Sequence, residues 1–169
     1  MGPLIAYWLR WPSMEVLMGT DWGWSLCEIL HFAGLALLVG IVGMFDLRLL
    51  GMAKAVPVAP LRRFLPWAVV GFVLCVVSGL SFVTGLGANL EGVHPYSVLI
   101  ANLWLQLKLL FIALAGLNLL AFYLTGMSSA VDDLGPGDEA PFAAKVIAAT
   151  SLSLWIAVIW VGRLIPWGL

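Results

Sequence analysis

Along this chain, long runs without charge alternate with short segments rich in charges, prolines and glycines. Ile29–Phe45 is uncharged apart from His31, if that ring is neutral, and Phe64 to about Leu86 holds no charge at all. A third run begins near Ile100, contains Lys108 and continues to about Gly126; a fourth extends from about Phe142 to Ile165. A helix crossing a hydrocarbon core needs about 20 consecutive apolar residues, so each run is long enough to span one. Spans are therefore expected at about 25–50, 64–86, 100–126 and 142–165. Breakers separate them: Pro57 and Pro60, then Gly85, Gly87 and Pro95, then Gly135-Pro136-Gly137. Ahead of the first span, residues 3–18 mix Leu4, Ile5, Trp8 and Trp11 with Arg10 and Glu15 and are interrupted at Pro12. That mixture predicts a short interfacial segment lying on the membrane. The expected fold is all-α: an integral membrane four-helix bundle forming a single domain over 1–169.

Composition strengthens this reading. The chain is 63% hydrophobic and only 10% charged, against about 25% charged residues in soluble domains. A water-soluble fold of 169 residues could not hide that much apolar surface, because small domains leave a large share of their chain exposed. Net charge is −1 with no basic stripe, which excludes nucleic acid as a partner and leaves the lipid bilayer. Cys27 and Cys75 fall at different depths in different spans, so no disulfide is expected, and no CxxC or Cys/His metal spacing occurs. Arg10, Pro12 and Glu15 stand where a secretory signal would need an apolar region.

Orientation follows from the basic residues. Arg48, Lys54, Arg62 and Arg63 cluster around the first connection, whereas the opposite side offers Arg10 and a loop with Glu91 and His94. The positive-inside rule then predicts a multi-pass protein of a bacterial inner (cytoplasmic) membrane with both termini periplasmic. Trp22, Trp24, Trp104 and Trp167 would form the outer aromatic belt and Trp67 part of the inner one. Asp46, Arg48, Arg62 and Arg63 are expected to form an ion-pair cluster at the inner end.

Ionisable residues inside spans are costly and are the first candidates for a site. Glu28 and His31 lie three apart near the outer end of the first span, and Lys108 about two turns into the third. Arg163 ends the antiparallel fourth span, and His94 sits in the outer loop. Four segments thus bring Glu28, His31, Lys108, Arg163 and His94 to one membrane level. Structural readings stand beside this one. Ser25-Leu26-Cys27-Glu28 has the form of a capping box, Arg163 can snorkel to the interface, and His94 beside Pro95 can be a plain loop residue. A lone histidine can equally be hydrogen-bonded inside a bundle. Lys108 is too deep for easy snorkelling and should seek an anion, either Glu28 or a ligand carboxylate. Gly34, Gly40 and Gly43 would let a neighbouring helix or a flat macrocycle approach, and Asn118, Ser151 and Ser153 could bond between helices.

Several of these residues also carry a resemblance. Glu28-Ile29-Leu30-His31, Phe45 to Gly51, Leu107-Lys108 through Leu117-Asn118, Ser151 to Trp155 and Gly162-Arg163 look like a bacterial family of four-helix membrane proteins of uncharacterised activity. More distantly, the first-helix histidine and Trp104-x-x-x-Lys108-Leu109 are similar to the CopD-like group of copper-resistance proteins and haem-containing membrane protoporphyrinogen oxidase. That resemblance implies a haem site including His31 and Lys108. The further histidines of that group are missing, and Asn118 stands about where one would be expected.

Three functions are therefore in competition. In the first, a b-haem or related redox cofactor sits near the periplasmic face. His31 would ligate the metal, Lys108 and Arg163 would pair with propionates, and Glu28 would orient His31 or relay protons. The missing axial ligand would come from His94, a methionine or His31 of a second subunit, which implies a homo-oligomer or a periplasmic redox partner. In the second, His31, Cys27 and methionines handle copper. In the third, the chain is a non-catalytic subunit or scaffold of a larger membrane complex, and the polar residues only lock the bundle.

Overall fold

The structure, a computed structural model, describes residues 12–86 and 94–168. Trp8, Arg10, Trp11 and Glu91, with the first part of the expected interfacial segment, lie outside the described residues. Helix α1 (Pro12–Met18) leads into α2 (Gly23–Leu49); then follow α3 (Val58–Arg62) and α4 (Leu65–Thr84). Next come α5 (Pro95–Ala101), α6 (Leu103–Leu124), α7 (Met127–Ala130) and α8 (Phe142–Leu164), which closes in a 3-10 turn over Ile165–Gly168. No strand occurs among the described residues. The four long helices α2, α4, α6 and α8 are apolar and long enough to cross a membrane, as a multi-pass membrane protein requires. Their outward faces fit the same medium: Phe32 is 66% exposed and Trp160 70%, a surface that water would not tolerate over so large an area.

The long helices form a bundle in the lateral order α4–α2–α8–α6. Helix α2 packs along α4, α6 packs along α8, and α2 and α8 join the two pairs, while α4 and α6 barely touch. Small residues set the closest crossing. A Cβ on Gly34 would lie 2.8 Å from the Gly71 carbonyl oxygen, and one on Gly71 would lie 2.7 Å from that of Gly34. Backbone meets backbone there, the packing that small residues permit in membrane bundles. Asn118 Nδ2 donates to the Ile147 carbonyl at 3.0 Å, the expected polar tie between α6 and α8.

One end of the bundle, the Arg48 end, is closed by interlocked loops. Helix α2 stops in a Schellman motif, with Gly51 at φ +90. Met52 N–H bonds the Leu47 carbonyl at 3.0 Å and Gly51 N–H that of Arg48 at 3.1 Å. Arg48, wholly buried, then donates to the carbonyls of Val56, Gly135 (2.7 Å) and Asp138 (3.2 Å). Beneath it Phe45, Leu49, Val58, Phe122, Val131 and Ala144 build an apolar cluster.

The expected cluster of Asp46, Arg48, Arg62 and Arg63 is not what forms. Arg62 pairs with Asp132 and Ser128. Asp46 is buried, and its Oδ2 has no hydrogen-bond partner among the described residues. Arg48 cannot reach out to acids because the loops wrap its guanidinium in carbonyls.

The third span also differs from the sequence reading. It is broken at Asn102, whose extended backbone separates α5 from α6. Asn102 Oδ1 accepts from Leu105 N at 3.0 Å, its Nδ2 donates to the Ile165 carbonyl at 2.9 Å, and Gln106 Nε2 covers the Leu99 and Ile100 carbonyls. Those side chains supply the bonds a broken helix loses.

Candidate functional site

Helix periodicity brings the polar residues of the other end together. Cys27, His31, Gly34 and Leu38 follow at three- and four-residue spacing, so they share the face that α2 turns to α4. On α4, Cys75, Ser78, Gly79 and Phe82 share the complementary face by the same rule. His31 Nδ1 lies 2.8 Å from Ser78 Oγ, and Ser78 Oγ donates to the Leu74 carbonyl at 2.6 Å. A hydroxyl has one proton. With it committed to Leu74, Nδ1–H becomes the donor to Ser78 Oγ, and in the neutral ring Nε2 keeps its lone pair.

The ring rests in a slot. Its Cε1 would stand 3.8 Å from a Cβ on Gly79, and Phe82 meets it edge-on with centroids 5.8 Å apart. Trp24 packs on the same phenyl ring at 5.0 Å. Cys75 Sγ donates to the His31 carbonyl at 3.6 Å, and buried Cys27 donates to that of Ser78 at 3.4 Å. Both cysteines are free thiols, as their depths implied.

Lys108 enters from α6. Its ammonium lies over Gly162 of α8, where a Cβ would stand 3.3 Å away, and its charge acts on both His31 and Cys75. Among the described residues it has neither an ion pair nor a hydrogen bond. His31, Cys75 and Lys108 thus share one electrostatic environment, contributed by three helices.

Other expected members stand apart. Glu28 is exposed and accepts from the Trp24 indole at 3.2 Å, so it does not meet Lys108. Nor does it form a capping box with Ser25: the helix starts at Gly23, two residues earlier, and Thr20 Oγ1 takes the Gly23 N–H at 3.1 Å. Arg163, one residue beyond Gly162, falls on a different helix face and is exposed without an ion pair among the described residues. His94 caps α5, its Nδ1 accepting from Tyr96 N–H at 3.1 Å. Gly34 admits a neighbouring helix and has no room left for a macrocycle.

No group of three or more His, Cys, Asp or Glu residues that could hold a metal ion occurs among the described residues. Ser78 and Cys75 were missed as partners of His31; the signal available was a polar pair inside the most apolar span. No family model, curated protein or solved structure matches the chain.

Proposed function

We propose that this membrane protein holds a redox or metal-bearing cofactor at its His31 end. His31 Nε2 is the metal ligand, and Lys108 is the counter-charge for an acidic group on the same cofactor. The observation that carries this reading is the anchored imidazole. Metal-bound histidines ordinarily donate their second ring N–H to a neighbouring acceptor, which fixes tautomer and orientation, and Ser78 Oγ stands 2.8 Å from Nδ1, placed to accept in that way. Lys108 supports it, because an ammonium inside a membrane bundle is costly until an anion meets it.

A b-haem would use these two residues, His31 for its iron and Lys108 for a propionate; bound copper with an anionic ligand is the alternative. Haem would supply one-electron chemistry. The chain itself holds the ring against Ser78 and brings the Lys108 amine to the same end of the bundle. The fit stops at these two residues: Glu28 and Arg163 are turned elsewhere and His94 is engaged as a cap. Any further ligand that the metal needs would come from a second copy or a partner.

The expected location is a bacterial inner membrane with the Arg48 end cytoplasmic, which the gathering of Arg48, Lys54, Arg62 and Arg63 supports. The scaffold reading is favoured by the lack of any three-ligand cluster among the described residues. The two part on one experiment. Wild type and His31→Ala are purified after expression with ample haem and copper, and absorption spectra and metal content are compared. The expected result is a Soret band or bound copper in wild type that the variant loses. Wild type carrying neither group leaves the scaffold as the better account.

A further inference from the structure

The Arg48 end carries a second feature that the cofactor reading does not use. Because α4 and α6 barely touch, a groove stays open between their ends, lined by Arg62, Arg63, Leu65, Pro66, Val69 and Tyr123. Its lining is graded. Arg62 and Arg63 stand just before the span that begins at Leu65, whereas Val69 lies one turn inside it. Tyr123, in the last turn of α6, puts a phenol at the same boundary.

The two arginines are not equivalent. Arg62 is neutralised by Asp132 and bonded to Ser128. Arg63 is exposed and has no ion pair among the described residues. The groove therefore presents one cation without an ion pair among the described residues, beside a shallow apolar surface at the start of α4. We propose that it is a binding site for one anionic phospholipid. The phosphate is held by Arg63 with help from the Tyr123 hydroxyl, and an acyl chain lies along Leu65 and Val69. Charge complementarity selects the headgroup, as in basic pockets between membrane helices generally. The gap between α4 and α6 admits the chain.

Native mass spectrometry of the purified full chain tests this. Phosphatidylglycerol and phosphatidylcholine with identical acyl chains are titrated separately into wild type, Arg63→Gln and Val69→Trp. Wild type should retain the anionic lipid about fivefold better, the contribution of one basic residue near a membrane surface. Arg63→Gln should bring the two lipids level, and Val69→Trp should reduce retention of both by obstructing that surface. Equal retention by wild type, or a preference that survives Arg63→Gln, overturns the proposal. So does competition by glycerol 3-phosphate as effective as the lipid, which would mean that the acyl chain contributes nothing.

Discussion

Arg48 and Lys108 are both cations carried on membrane-spanning helices, one toward each end of the bundle, and their surroundings differ. Arg48 is enclosed by protein, its guanidinium shared among three carbonyls from the two connecting loops. Lys108 lies over a glycine, within electrostatic reach of a thiol and an imidazole, and among the described residues no acid or carbonyl is bonded to it. A planar fork of five donors can hold several carbonyls in fixed geometry, whereas a compact ammonium is a point charge. The first arrangement is complete in itself and serves the fold. The second leaves an amine without a bonded partner among the described residues, and the proposed site at the His31 end rests partly on it.

Removing Arg48 should give the largest effect on stability. Arg48→Met strands the carbonyls of Val56, Gly135 and Asp138 and unties both loops. A loss of about 3–5 kcal/mol is expected, by analogy with breaking a buried charge's partners. Unfolding of the purified protein in mixed micelles would measure it, and a loss below about 1 kcal/mol would mean that water replaces the guanidinium readily.

The helix crossing beneath the His31 site comes next. Gly34→Val would drive a side chain into the Gly71 carbonyl and Cys75 Sγ, at a cost of about 1–3 kcal/mol. The same change at Gly40, with nothing within 4 Å, should be close to neutral in the same assay.

Lys108 should behave unlike Arg48. Since no acid among the described residues pairs with it, Lys108→Met is expected to be neutral or stabilising in the ligand-free protein. A double-mutant cycle with Glu28→Gln should show coupling below about 0.5 kcal/mol. Stronger coupling would bring Glu28 back into the site.

The smallest effect is a pH dependence at the Arg48 end. Hydrogen bonds from Lys54 and Lys145 lower the Glu139 carboxyl from its ordinary 4.5 to about 2. A depressed folded-state value contributes stability above the unfolded value. That contribution fades as pH falls from about 4.5 toward 2. Wild type and Glu139→Gln should therefore converge in stability across that window. Because Glu139 is fully exposed, solvent screening keeps the difference slight.

The number, position and apolar character of the four spans were readable from the sequence, because crossing a membrane imposes length and charge rules on each segment separately. The different depths of the two cysteines followed from counting residues along the same spans. The partner of each polar side chain was not readable. Glu28 could be aimed at Lys108 only by assuming a rotation of α2; the bundle instead turns Cys27 and His31 to α4 and leaves Glu28 outside. The break at Asn102 looked like one continuous span because Ile100 to Gly126 is apolar throughout except for a few polar residues, and the bonds that make the break tolerable come partly from Ile165, 63 residues away. Arg48 likewise meets carbonyls about 90 residues along the chain. Hydropathy reports the medium around a helix and is nearly blind to its rotation about its own axis. Rotation is set by where small residues let backbones approach, at Gly34 and Gly71, and that crossing decides which side chains share the interior.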